Sequence, residues 1–121
     1  MTSSQPPADS TGPLSALDFH VLLVLAGENL YGYGIMKAVE DHSGGLVTPE
    51  IGTLYRVLAR LMDAGCVREI PSVPGEEGTH RGRPRRYYGI TAQGLELVRA
   101  EVRRLRRVVA LAEATIPEVV G

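Results

Sequence analysis

Apolar and polar positions recur with helical spacing in several stretches, most clearly in Thr48–Gly65. Its apolar stripe repeats every three or four residues and consists of Ile51, Leu54, Leu58 and Leu61. Thr48 and Pro49 are typical of a helix start, and Gly65 is typical of a helix end. The remaining positions, expected on the outer face or at its border, are Thr53, Tyr55, Arg56, Val57 and Arg60. The pattern predicts an amphipathic helix that covers a core and presents its outer face to solvent or to a partner.

The stretch Leu14–Gly27 is predicted to be the first helix, with apolar residues on two of its sides. One stripe contains Leu14, Leu17, Val21 and Val24, and the other contains Phe19, Leu22, Leu23 and Ala26. A helix that is apolar on two sides must be buried on both. Because 121 residues suit one domain, we expect the second side to meet another copy of the chain. A central helix in a monomeric core is the alternative.

A second helix is predicted over Tyr31–Ser43, closed by Gly44 and Gly45. It begins with the sequence YGYG, although each glycine in a helix costs about 1 kcal/mol relative to alanine. Such glycines mark places where another group approaches the backbone closely. Three helices joined by short turns that contain glycine are typical of a helix-turn-helix arrangement.

Two strands are predicted after these helices, at Cys66–Ile70 and Arg85–Ile90, because both stretches are short and rich in β-branched or aromatic residues. The sequence between them, PSVPGEEGTHRGRP, is rich in proline and glycine and is predicted to be a loop. The two strands then form a hairpin, or wing, beside the helices. Cys66 is expected to be a small buried residue, with a redox-sensing role as the alternative.

The last helix is predicted over Ala92–Ile116, with Thr91 as its cap, and would be about 37 Å long. Its apolar residues follow an unbroken heptad spacing, which favours self-association. A plain amphipathic helix lying on its own domain is the alternative. The predicted dimer interface combines residues of the first and last helices: Leu17, Val21, Val24, Leu95, Val98, Val102, Leu105, Val109 and Ala112.

Charge is distributed unevenly, although the net charge is only −1. Residues 1–55 contain one basic and six acidic side chains, whereas residues 56–121 contain twelve basic and eight acidic ones. The longest apolar run, Val21–Ala26, is too short to span a bilayer, and residues 1–13 do not resemble a secretory signal. Cys66 is the only cysteine, which fits a reducing compartment. We therefore expect a cytoplasmic protein without membrane attachment, preceded by a disordered tail at residues 1–13.

Enzyme chemistry is not indicated by the side chains that usually perform it. The three histidines and the cysteine show no metal-ligand spacing; they are His20, His42, His80 and Cys66. The sequence also shows no nucleophile set and no phosphate-binding loop. We predict no catalytic residues, no metal and no cofactor.

The strongest polar signal is the sequence HRGRPRRYY, which holds four arginines: Arg81, Arg83, Arg85 and Arg86. Gly82 and Pro84 keep the run extended, so that the guanidinium groups can follow a phosphate backbone or enter a narrow groove. The alternative is a solvated loop that protects the edge of a hairpin. Together with the helix side chains Thr53, Tyr55, Arg56 and Arg60, the run instead suggests a reading helix beside a backbone clamp.

These stretches resemble the PadR family of bacterial transcriptional regulators. LYGYGIMKAVEDHSGG is similar to the family's second helix, and GTLYRVLARLMDAGCV is similar to its recognition helix and first wing strand. GRPRRYYGITAQG is similar to the second wing strand and the start of the last helix. A single C-terminal helix is typical of the smaller subfamily. Arg56 departs from the pattern, since many members carry proline there, and it adds charge to the outer face.

The resemblance implies a mainly α fold with a small β-hairpin wing: a winged helix-turn-helix DNA-binding domain at 14–90, a dimerisation helix at 91–116 and a short tail at 117–121. It implies a homodimeric repressor on a two-fold DNA operator, in which the last helix packs against the partner's first. Tyr31, Tyr33 and Tyr55 would lie near phosphates. Family members often respond to a small hydrophobic or aromatic effector, whose identity stays open here because the chain lacks tryptophan. The alternative is a winged-helix protein–protein adaptor without specific DNA binding.

Overall fold

The computed structural model describes residues 13–71, 79–80, 83–84 and 86–117. Its elements, in chain order, are α1 (Ala16–Gly27), β1 (Leu30–Tyr31), α2 (Gly32–His42), α3 (Ile51–Asp63), β2 (Val67–Ile70), β3 (Thr79–His80), β4 (Arg83–Pro84), β5 (Tyr87–Ile90) and α4 (Ala92–Thr115). This order confirms a mainly α fold with a small wing and a long C-terminal helix. The tails predicted at 1–13 and 117–121 lie almost wholly outside the described residues.

The core lies where α1, α2 and α3 meet. Its fully buried side chains come from all three helices: Val21, Leu22, Ile35, Val39, Leu54, Leu58 and Leu61. Val57 was expected on the outer face of α3, but it is only 7% exposed and belongs to this core. The apolar face of α3 is therefore wider than the predicted stripe, because the helix packs against both α2 and β2.

The start of α3 differs from the prediction, whereas its end agrees with it. The backbone is still extended at Glu50, which is the N-cap, so Thr48 does not cap the helix. The Ser43 hydroxyl accepts a 2.9 Å hydrogen bond from the Val47 amide, and this bond stabilises the loop between α2 and α3. At the other end Gly65 has a φ of +80°, and the amide of Cys66 donates to the Leu61 carbonyl at 2.9 Å. This is the glycine-terminated helix end that the sequence predicted.

The sheet contains one strand that the sequence did not reveal. Within the described residues the strand order is β1-β5-β2, and both pairs are antiparallel. β1 has two residues, which is too short for a strand pattern, and it is defined only by pairing with Tyr87 and Tyr88. Part of the predicted loop also forms a ribbon, in which β3 pairs with β4 through His80 and Arg83.

The beginning of α4 is joined tightly to the end of α3. The Thr91 hydroxyl accepts from the Gly94 amide at 3.0 Å, as predicted for the cap, and donates to the Gly65 carbonyl at 2.6 Å. The Thr91 amide donates to the Cys66 carbonyl at 3.0 Å. A Cβ at Gly94 would collide with that carbonyl and lie 2.7 Å from Ile90. Only glycine allows α4 to approach this backbone so closely.

The first half of α4 packs on α1 within the same chain. Three residues of the predicted dimer interface, Val21, Val24 and Val98, are already only 0%, 3% and 8% exposed in the single chain. They therefore have little surface left to contribute to a contact with a second copy. Their neighbours in the same prediction are only partly covered or exposed: Leu17, Leu95, Val102, Leu105, Val109 and Ala112.

Glu101 lies under this contact, on the buried side of α4. Its side chain is 6% exposed. Arg104 donates two hydrogen bonds to it, from Nε to Oε1 at 3.0 Å and from Nη2 to Oε2 at 2.6 Å. The Leu14 amide also donates to it. The hydrogen bonds from Arg104 hold the pKa of Glu101 below its ordinary value of 4.5, although burial opposes them. Glu101 thus ties α4 to the residue before α1.

Acid is expected to weaken the fold through Glu101. Because its pKa is lowered in the folded state, the carboxylate stabilises the fold fully above pH 4.5 and loses this effect as pH falls through the folded pKa. Glu101→Gln should be less stable than the wild type at neutral pH, with a shallower loss of stability in acid. Thermal unfolding followed between about pH 7 and pH 3 measures both. Glu96→Gln is the control, since its pair with Arg99 is exposed and contributes about 0–1 kcal/mol. Equal acid dependence of the wild type and Glu101→Gln would contradict this role.

Candidate nucleic-acid interface

The exposed face of α3 carries three of the predicted contact residues. Thr53 and Arg56 are one turn apart, and Arg56 Nη2 donates to Thr53 Oγ1 at 3.2 Å. Both Arg56 and Tyr55 are exposed, with 44% of Tyr55 accessible. Within the described part of the chain, Tyr55 and Arg56 stay accessible to solvent on this face. It offers a guanidinium, a hydroxyl and a phenol to a partner.

Tyr55 joins this face to the start of α2. A Cβ at Gly32 would lie 2.8 Å from Cζ of Tyr55, so the aromatic ring occupies the space that a side chain would need. The sequence predicted a close approach at the YGYG glycines, and at Gly32 the approaching group is this ring. α2 begins at Gly32 without a side-chain cap from its N-cap residue, Tyr31. Its first amides thus lie beside Tyr55, and helix starts of this kind favour anions.

Tyr31 and Tyr33 flank the same helix start. Tyr31 is half-buried, and its ring lies 5.7 Å from the ring of Tyr87 across the β1–β5 pair. Tyr33 is 47% exposed. Tyr88, which is on the opposite face of β5, is 3% exposed. Burial raises the pKa of Tyr88, and the nearby Tyr55 and Glu69 add to that effect, so Tyr88 stays neutral beneath the surface.

Arg60, one turn after Arg56 on α3, forms an ion pair with α1. Its guanidinium makes two hydrogen bonds of 2.9 and 2.8 Å to the Asp18 carboxylate on α1. The Asp18 side chain is 11% exposed, and that of Arg60 is 55% exposed. Arg60 was predicted as a DNA contact, and in this structure its guanidinium is bound to the Asp18 carboxylate on α1.

The wing arginines are described only in part. Arg81 and Arg85 lie outside the described residues, and for Arg83 only the backbone position in β4 is described. Arg86 is exposed, and its Nε lies 3.6 Å from Glu69 Oε2 on β2. Since both partners are largely accessible, this ion pair is weak and leaves Arg86 able to contact a phosphate.

Two buried acids, Asp18 and Glu101, were not predicted as such from the sequence. Both fall on the apolar stripe of their own helix, Asp18 with Val21 and Leu22, and Glu101 with Leu97 and Val98. An acid on a buried stripe needs a partner, because an unpaired buried charge is costly. That positional signal was available in the sequence, but the identity of the partner was not, since Asp18 pairs with a residue 42 positions away.

Neither a metal centre nor a membrane span is found in the described parts of the chain. No group of three or more histidine, cysteine, aspartate or glutamate side chains there could hold a metal ion. Among the same residues, no helix is long and apolar enough to cross a membrane.

Fold and site together define a winged helix-turn-helix protein with an extended C-terminal helix. The family model described as "Transcriptional regulator PadR-like family" matches residues 21–100. Because this match spans well over half of the chain, the protein belongs to the PadR-like family of transcriptional regulators, which are not enzymes.

Solved structures agree with this assignment. A PadR family transcriptional regulator from Eggerthella lenta is 31% identical, with 78% of this chain and 77% of that chain covered and a TM-score of 0.56. A transcriptional regulator from Clostridium thermocellum shares the fold at 23% identity, covering 84% and 90% of the two chains with a TM-score of 0.67. Bacillus subtilis PadR, solved in complex with operator DNA, is 20% identical, with 88% and 53% covered and a TM-score of 0.56. None of the curated proteins compared with the chain matches it.

Proposed function

We propose that this protein is a sequence-specific DNA-binding repressor that acts as a homodimer in the cytoplasm. The observation that carries the proposal is the surface formed by Thr53, Tyr55 and Arg56 on α3 together with the start of α2. A hydroxyl and a guanidinium on an exposed helix are suited to base edges, whereas helix-start amides and tyrosine hydroxyls are suited to phosphates. The fold-related Bacillus subtilis protein was solved with operator DNA, which supports the same class of partner here.

The wing supplies the second part of the proposed surface. Arg86 immediately precedes β5, the strand that carries Tyr87 and Tyr88 and pairs with β1 just before α2. Three further arginines, Arg81, Arg83 and Arg85, precede it in the sequence. We assign these four side chains to the DNA backbone, where guanidinium groups pair with phosphate oxygens. Tyr31 and Tyr33, beside the start of α2, would add phosphate contacts.

The proposed homodimer rests on the second half of α4. Leu105, Val109 and Ala112 continue the stripe that packs Leu97 and Val98 onto the chain's own core, but the described chain leaves Val109 exposed and covers Leu105 and Ala112 only in part. Val108, Val109, Leu111 and Ile116 are 48%, 53%, 67% and 62% exposed. A second copy, contributing α1 with Leu17, would cover this surface. The two α3 helices of such a dimer would occupy major grooves about 34 Å apart.

We also propose that a small hydrophobic ligand releases the protein from DNA. The apolar α1 and α4 surfaces between the two copies are where such an effector would bind. Bound there, it would change the distance between the two α3 helices and hence their fit to successive grooves.

The test is DNA selection followed by binding at two salt concentrations. The protein should enrich a two-fold sequence from a random library and bind that duplex more tightly than a scrambled one. Arg83→Ala with Arg85→Ala should weaken binding to both duplexes and make the salt dependence shallower, by about 0.9 in log–log slope for each phosphate that is no longer neutralised. Fluorescence anisotropy measures affinity and slope together.

The matched control for this test is Arg103→Ala with Arg107→Ala, which removes the same charge from exposed positions on α4. This control should leave the slope unchanged. An unchanged slope in the wing variant would show that the wing does not contact phosphates. Equal affinity for selected and scrambled DNA would instead favour a protein–protein adaptor.

A further inference from the structure

The Asp18–Arg60 ion pair joins α1 to the exposed side of α3. Arg60 Nη1 and Nη2 donate separately to Oδ2 and Oδ1 of Asp18, at 2.9 and 2.8 Å. Two nearly parallel hydrogen bonds define both the distance and the orientation of the two groups, which a single contact does not. The pair therefore determines how α3 is placed on α1 at this point.

Both ends of the pair are held by their own helices. The Asp18 amide donates to Ser15 Oγ at 3.0 Å, so Asp18 lies in the capped first turn of α1. It is followed by Val21 and Leu22, which are fully buried and keep this face of α1 against the core. Arg60 precedes Leu61, which is also fully buried. Neither helix can rotate away from the pair without moving core residues.

We propose that Asp18 is a positioning residue for DNA recognition, which holds Arg60 off the DNA and fixes α3 against α1. The inference rests on the proposed function, because it concerns the affinity of α3 for DNA. Leu17, the neighbour of Asp18, lies on the surface that we assign to the second copy. A shift of α1 at that surface moves the carboxylate that holds α3. The pair thus connects the dimer contact to the reading helix.

The experiment is a double-mutant cycle on the homodimer, measured with the duplex selected from the random library. Asp18→Asn and Arg60→Ala should each weaken binding about tenfold, and the double variant should bind no more weakly than either single variant. The salt slope of Arg60→Ala should equal that of the wild type. Arg86→Ala is the control, since Arg86 is exposed and assigned to the DNA backbone, and its slope should become shallower by about 0.9.

Arg60→Lys separates a positioning role from a phosphate contact. Lysine keeps the charge and the apolar stem but cannot make the bidentate contact, so it should weaken binding to the selected duplex as Arg60→Ala does. A phosphate contact would survive this substitution. Wild-type affinity in Arg60→Lys, combined with a shallower slope in Arg60→Ala, would overturn the proposal. Thermal unfolding by circular dichroism identifies the temperature at which all variants are folded, and binding is compared there.

The outcomes distinguish this inference from the proposed function. If the wild type does not discriminate between selected and scrambled duplexes, the proposed function fails and the inference fails with it. If the wild type discriminates but the effects of Asp18→Asn and Arg60→Ala add, only the inference is overturned. Discrimination with a non-additive cycle and an unchanged slope in Arg60→Ala supports both.

Discussion

Val109→Asp is expected to give a monomer that no longer binds the selected duplex with measurable specificity. Val109 is 53% exposed on the uncovered continuation of the α4 stripe, where a carboxylate would be buried without a partner in the proposed dimer. Losing the second recognition helix removes the gain from simultaneous binding, so operator affinity should fall about 10²- to 10⁴-fold. Sedimentation velocity measures the oligomeric state, and fluorescence anisotropy measures binding.

The control for this substitution is Ala110→Asp. Ala110 is the next residue, is exposed, and lies away from the stripe formed by Leu105, Val109 and Ala112. It adds the same charge to the same helix without entering the proposed interface. Ala110→Asp should remain dimeric and bind DNA as the wild type does. A dimeric Val109→Asp protein with unaltered affinity would show that this surface is not the one that joins two copies.

Gly94→Ala is expected to lower the free energy of unfolding by about 3 kcal/mol. The new Cβ would meet the Cys66 carbonyl and lie 2.7 Å from Ile90 Cγ1, and the backbone carbonyl cannot turn aside as a flexible side chain could. α4 would have to move outward, which stretches the hydrogen bonds of Thr91 to Gly65 and to Gly94. Urea or thermal unfolding of the purified protein measures the change.

Gly52→Ala is the matched control for Gly94→Ala. Gly52 lies in the first turn of α3, and a Cβ there would have only Arg56 Nη1 nearby, at 4.0 Å. Alanine should stabilise this helix by up to about 1 kcal/mol because it is the better helix former. Loss of stability in Gly52→Ala as large as that in Gly94→Ala would mean that the close approach at Gly94 is not the cause.

Local patterns predicted most of the architecture because each helix carries its own signals. The apolar spacing of α3 and its glycine end, the Thr91 cap of α4 and the two longer strands all depend on residues close together in the sequence. The prediction that Thr48 caps α3 was wrong, since side chains suited to a cap can precede a helix without being used. β1 was missed because two residues show no period, and only their pairing with β5 makes them a strand.

The candidate site was predictable by residue type and less so by geometry. The outward positions of Thr53, Tyr55 and Arg56 follow from helical spacing. Gly32 predicted a close contact with its backbone, but the sequence did not show that Tyr55 makes this contact. The position of Arg60 on α3 was predictable, but its engagement by Asp18 was not. Helical spacing says which way a side chain leaves its own helix, whereas its hydrogen-bond partner depends on how that helix crosses its neighbours.

The class of fold, the family and the exposed face of α3 all follow from the amino-acid sequence alone. They depend on local spacing, turn chemistry and motifs, which act over a few residues. Packing between the helices, in contrast, decides which apolar residues are already covered and which acids are paired. Val21, Val24 and Val98 are buried inside one chain, and Val109 is left uncovered on the same long helix as Val98. That distinction depends on how far α1 extends beneath α4, which the apolar spacing along either helix does not reveal.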